Sequence, residues 1–156
     1  MTRVTEPENG NTDTIGRRAF VGRCACTLAG LALGGCASLA TRRVVPVDGR
    51  IELTLARHPE LLQPAGSLRL VADGELDPLY VLALDGGSYS VISPICTHRG
   101  CTVNVNGDRL VCPCHGSTYD RVGKVLKGPA EHPLTRYPAQ VADGVLAIDL
   151  RAGRRP

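Results

Sequence analysis

The sequence predicts an all-β fold, an antiparallel β-sandwich, and three features carry that expectation. From Val44 onward short apolar alternations follow one another without a sustained helical period. Turn formers punctuate them, with 18 Gly and 11 Pro in 156 residues. Three pairs of runs are joined by Asp85-Gly86-Gly87, Asn106-Gly107 and Asp143-Gly144, each a hairpin signal. The length suits one domain, and a hydrophobic fraction of 43% argues against a disordered chain. Aromatics make up only 3%, so the core must come from Val, Leu, Ile and Ala. A net charge of +3 without a concentrated basic face argues against nucleic-acid binding.

The chain divides into three parts: a polar lead with a targeting segment (1–43), a folded domain (44–150) and a short tail (151–156). Residues 1–16 are polar and lack an apolar period. Arg17-Arg18 then precedes an uncharged run over residues 24–41, rich in Ala, Gly and Leu. That pattern looks like a bacterial twin-arginine export signal, here a helical signal or anchor that places the protein at the periplasmic face of the cytoplasmic membrane. The run is barely long enough to span a bilayer. Within it, Leu33-Gly34-Gly35-Cys36 resembles a lipobox, which makes Cys36 the candidate for lipidation. Cys24 and Cys26 read as small hydrophobes of the same segment.

Strands are expected at 51–55 and 67–71, and a helical turn only at 59–63. Residues 79–84 pair with 88–92, and 138–142 with 145–150. The third hairpin pairs 102–105 with 108–111. With Asn106-Gly107 as a two-residue turn, residue 105 faces 108 and each facing pair sums to 213. Residue 101 then lies opposite 112, with Cα atoms roughly 4.5–5.5 Å apart. Two cysteine-bearing segments are thereby brought together: Cys96-Thr97-His98-Arg99-Gly100-Cys101 and Cys112-Pro113-Cys114-His115-Gly116-Ser117.

Each segment offers one His and two Cys at short spacing, enough for a four-ligand site that suits a soft or borderline metal. Structural zinc more often uses Cys pairs two to four residues apart, and a zinc-binding structural module remains an alternative. Gly100 and Gly116 give the backbone freedom to curl around a bulky group.

The strings C-T-H-R-G-C and C-P-C-H-G-S resemble the two boxes of the Rieske iron–sulfur proteins, over roughly residues 50–150. The resemblance implies a Rieske-type sandwich with a cluster-binding subdomain of two loops and one [2Fe-2S] cluster per chain. It implies Cys96 and Cys112 as thiolate ligands of one iron, and His98 and His115 as imidazole ligands of the other. Cys101 and Cys114 match the disulfide of the respiratory branch, a bond that an exported protein's oxidising surroundings favour. Ser117 and Tyr119 match hydroxyls that hydrogen-bond the cluster and a cysteine sulfur. Lys127-Gly128-Pro129-Ala130 resembles the loop that covers the cluster, with Glu131 where another Pro is usual.

This ligand set implies redox chemistry. Two ferric ions, two sulfides and two thiolates are formally neutral, so an electron is accepted more readily than by a four-thiolate cluster. The potential then falls within about −150 to +300 mV, in the upper half given the two hydroxyls. A ferric ion also weakens the imidazole's hold on its outer N–H proton and reduction strengthens it, which couples electron and proton uptake.

These readings describe an exported, membrane-associated Rieske electron-transfer protein of a respiratory or periplasmic chain. Its partner would be a cytochrome or a larger oxidoreductase subunit. The alternative is the Rieske subunit of a quinol:cytochrome c oxidoreductase, with quinol as electron donor. In that branch Leu typically follows the first ligand histidine, where this chain has Arg99. Arg99 and Lys124 would suit an acidic partner surface. No autonomous catalytic constellation is present, so any catalysis would be shared with the partner.

Overall fold

The computed structural model describes residues 39–153. The expected export segment, its helical character, Cys36 and the last three residues lie outside them. Twelve strands are arranged in three sheets among the described residues. The largest has the order β1 (Ala40–Val44), β3 (Ser67–Ala72), β4 (Leu79–Ala83), β5 (Tyr89–Ile92) and β10 (Arg136–Tyr137). A second contains β11 (Ala139–Ala142), β12 (Val145–Asp149) and β2 (Arg50–Thr54). The third runs β6 (Asn104–Asn106), β7 (Arg109–Val111), β8 (Thr118–Asp120) and β9 (Val125–Lys127).

The all-β expectation holds, and two of the three hairpins form as read, β4 with β5 and β11 with β12. The sheets are not wholly antiparallel, because β1 runs parallel to β3. This ladder reaches back to Ala40, before the expected domain start at Val44. Thr41, Arg42 and Arg43 are exposed on it, so this edge strand carries no apolar alternation for a sequence reader to find. Short 3-10 turns at Leu55–Arg57, Pro59–Leu61 and Asp85–Gly87 are the helical content among the described residues.

Strand β4 explains the layering. All five of its residues are buried, which requires cover on both faces. Leu79 and Val81 join Leu68, Leu70, Val91, Leu146 and Ile148 in one core, between the large sheet and the three-stranded sheet. Tyr80 and Leu82 face the other way, into a second core with Ile92, Leu110, Tyr119 and Leu134. The large sheet is thus a wall common to both cores, and the four-stranded sheet packs on its second face. Tyr80 fastens that contact by donating its hydroxyl to the Val103 carbonyl at 3.0 Å.

The central hairpin departs from the expected register. Asn104 faces Val111, Val105 faces Leu110 and Asn106 faces Arg109, so facing pairs sum to 215. The turn is Gly107-Asp108, and the positive φ falls on Gly107 at 57° while Asn106 stays in the strand. A slip of two residues in pairing keeps every side chain on its own face, so the apolar pattern fits either register. The apolar pattern does not separate them, and the turn does, with Gly in the first central position.

At this end of the sheet Arg121 is buried, with 8% of its surface exposed. It donates to the carbonyls of Ala83 (3.1 Å), Gly107 (2.9 Å) and Gly66 (2.6 Å). Its guanidinium therefore ties the hairpin turn to the large sheet. Burial lowers its proton affinity, opposed by the nearby Asp108 charge.

Candidate metal centre

The two cysteine-bearing loops fold on one hydrogen-bond plan. In the first, Cys96 N–H donates to the Cys101 carbonyl (2.8 Å) and Gly100 N–H to the Cys96 carbonyl (2.8 Å). In the second, Cys112 N–H donates to the Ser117 carbonyl (2.8 Å) and Gly116 N–H to the Cys112 carbonyl (3.0 Å). Both glycines sit four residues after the leading cysteine, with φ of 76° and 75°. A Cβ at either position meets no protein atom within 4 Å, so glycine is needed for its backbone angle and not for space within the chain.

The shifted register decides which cysteines meet. Pairs that sum to 215 set 101 against 114, and Cys101 and Cys114 form a disulfide with Cα atoms 6.5 Å apart. Cys96 and Cys112 remain free thiols, each only 2% exposed. The Cys112 sulfur lies within 4.8 Å of both disulfide sulfurs. Those two are bonded to each other and cannot act as thiolate donors. His98 and His115 meet edge to face, their ring centroids 4.9 Å apart. The structure therefore gathers both predicted pairs at the same end of the hairpin.

Two observations test whether the residues suit a mixed sulfur and nitrogen metal group. The Nδ1 atom of His98 is buried and has no hydrogen-bond partner, as a donor atom reserved for a metal would be. The buried free thiol of Cys112 stands beside a formed disulfide without joining it, and the second free thiol, Cys96, contacts Cys112. The donor set fits a [2Fe-2S] cluster.

Strand β8 and the residue before it bring two hydroxyls to Cys96. Tyr119, fully buried, places its Oη 3.2 Å from the Cys96 sulfur and 3.2 Å from Thr97 Oγ1. Ser117, also buried, accepts the Ala130 N–H at 3.0 Å, which leaves its own proton free to donate. Burial alone would raise the Cys96 thiol. Contacts with the Tyr119 hydroxyl, the His98 backbone N–H, Cys112 and Ser117 outweigh it and bring Cys96 below the usual 9.0. Tyr119 moves the other way, held above 10.0 first by burial and then by its bond to Cys96.

Gly128 and Pro129 are exposed and joined by a cis peptide, and the buried Ala130 carries the bond to Ser117. His132 is exposed, as a loop histidine should be, but its carbonyl accepts the Thr97 hydroxyl at 2.6 Å. Sequence reading missed both Thr97 and Arg121, because hydrogen bonds to backbone carbonyls leave no residue pattern. Lys124 lies in the β8–β9 turn, at the end of the sheet that Arg121 ties down and away from the metal loops. Lys127, paired with Thr118 beside the second loop, stands at the metal end instead.

The fold and the paired Cys/His loops define an iron–sulfur domain of the Rieske type. A family model described as Rieske [2Fe-2S] domain matches residues 57–138, and the chain belongs to that family. The cytochrome b6-f complex iron-sulfur subunit of Cyanothece sp. (strain PCC 7425) is 37% identical in an alignment 114 positions long that covers 65% of this chain. The chain spans 60% of that relative's length. The same subunit from Synechococcus sp. (strain CC9605) is 33% identical, with 98% of each chain aligned. The solved structure of a quaternary ammonium Rieske monooxygenase, CntA, shares the fold at a TM-score of 0.51 and 16% identity. That match covers 59% of this chain and 30% of the monooxygenase.

Proposed function

We propose that this chain passes single electrons through one [2Fe-2S] cluster bound by Cys96, Cys112, His98 and His115. The observation that carries the reading is that the two loops joined by the disulfide carry a pair of free buried thiols and an edge-to-face histidine pair whose Nδ1 at His98 has no other partner. The cluster, when bound, supplies a one-electron couple tuned by its ligands and their hydrogen bonds. Cys96 and Cys112 hold one iron as thiolates, while His98 and His115 hold the other and keep their outer nitrogens for protons. Ser117 and Tyr119 donate toward the sulfur side, Gly128 and Pro129 cover the site, and the disulfide pins the two loops together.

The partner is a cytochrome-containing complex or a larger oxidoreductase subunit, since relatives of this chain are cytochrome b6-f iron–sulfur subunits. Arg99 and Lys127, both exposed at the metal end, favour an acidic partner surface over an apolar quinol pocket. The quinol:cytochrome c oxidoreductase reading rests on the disulfide-bearing loops. Export through Arg17-Arg18 and membrane attachment near Cys36 complete the proposal. Among the described residues no helix is long and apolar enough to cross a membrane.

Anaerobic purification from membranes tests the whole reading. We expect two irons and two acid-labile sulfides per chain, a Rieske-type electron-resonance signal on reduction, and co-purifying haem. Zinc in place of iron and sulfide would overturn the cluster assignment. Quinol reduction of the purified complex would decide for the second reading.

A further inference from the structure

We infer that Thr97 competes with Cys96 for the single hydroxyl proton of Tyr119 and so holds the cluster's reduction potential below the value Tyr119 alone would give. The inference rests on the proposed cluster and deepens it. It follows from counting protons over three contacts. Thr97 Oγ1 lies 2.6 Å from the His132 carbonyl, which can only accept, so the Thr97 proton is committed there. Thr97 can then meet Tyr119 at 3.2 Å only as an acceptor. Cys96, as a metal-bound thiolate, is likewise only an acceptor toward Tyr119, also at 3.2 Å. A tyrosine hydroxyl has one proton, and two acceptors at equal distance divide it.

The share that reaches sulfur stabilises the extra negative charge of the reduced state, and the share that reaches Thr97 does not. Thr97 is therefore a positioning residue that acts on the metal centre through Tyr119. Because its own proton is anchored on His132, the covering loop after Pro129 sets this division. The chain elements involved come from three places: the first metal loop, strand β8 and the covering loop.

The test is potentiometric titration of the cluster-loaded protein in four forms. Thr97→Val, which keeps shape but removes the oxygen, should shift the midpoint potential upward. Thr97→Ser, which keeps the hydroxyl, should retain the wild-type value. Tyr119→Phe should lower the potential, and Thr97→Val placed on that background should produce no further change. Thr97→Ala takes the place of Thr97→Val if the valine variant does not retain its cluster. A downward or absent shift in Thr97→Val, or an upward shift that persists with Tyr119→Phe, overturns the inference. An unchanged potential in Tyr119→Phe would instead strike the proposed role of Tyr119 itself.

Discussion

Ser117 and Tyr119 occupy alternate places on one short segment, and both turn a hydroxyl toward Cys96. Ser117 receives the Ala130 N–H, which orients it and leaves its proton for a sulfur acceptor. Ser117→Ala should therefore lower the midpoint potential while the absorption spectrum remains that of an intact cluster. An unchanged potential would remove Ser117 from the tuning role. The imidazoles give a second prediction at this scale. If both outer nitrogens release protons from the oxidised state, the potential should fall in alkaline solution by about 59 mV per pH unit for each proton coupled to one electron. Tyr119 should not contribute to that slope near its onset. Its pKa is held above 10.0 by burial and by Cys96, so it keeps its proton, and its hydrogen bond, through the first alkaline steps. A potential that is flat to strong alkali would rule out exposed imidazole ligands.

The short strands and turns show how far residue order alone carries a structure. The twin loops were legible because their chemistry is written in type and spacing, and so were the apolar alternation of β3 and β12 and the unbroken apolar run of β4. The register of the central hairpin was not. Asn106-Gly107 and Gly107-Asp108 keep the same faces buried, and the choice between them shows in the backbone angle of Gly107 and in which cysteines stand opposite each other. Strands β8 and β9 have three residues each, too few to display a period. Arg121 was equally invisible, since its partners are carbonyls of distant turns. Arg121→Met would leave those carbonyls unpaired in a buried setting, and should cost about 2–4 kcal/mol in denaturant unfolding. A loss below about 0.5 kcal/mol would show that water replaces the guanidinium there. Serine replacement of Cys101 and Cys114 should cost about 3 kcal/mol by the loop-entropy account and loosen both metal loops together. Equal thermal stability of the wild type and the double-serine variant would contradict it.

At the scale of the folded domain, the described residues form three layers with the five-stranded sheet in the middle. Side-chain parity on β4 then assigns each residue to one of two cores, and mutation should separate them. Leu70→Ala and Leu82→Ala both remove fully buried side chains and should each cost about 2–5 kcal/mol. Only Leu82, on the face toward the metal layer, should also speed cluster loss when bleaching of the visible spectrum is followed in mild denaturant. Equal bleaching rates would mean that the two cores act as one. A wall with two furnished sides also has a price when one room empties. Should the metal layer open after oxidative loss of iron, β4 and β5 would present Tyr80, Leu82 and Ile92 to solvent as a bare apolar strip on an otherwise folded body. Such a species binds dyes and sticks to its own kind. For this protein, iron starvation should therefore register as aggregation before it registers as unfolding.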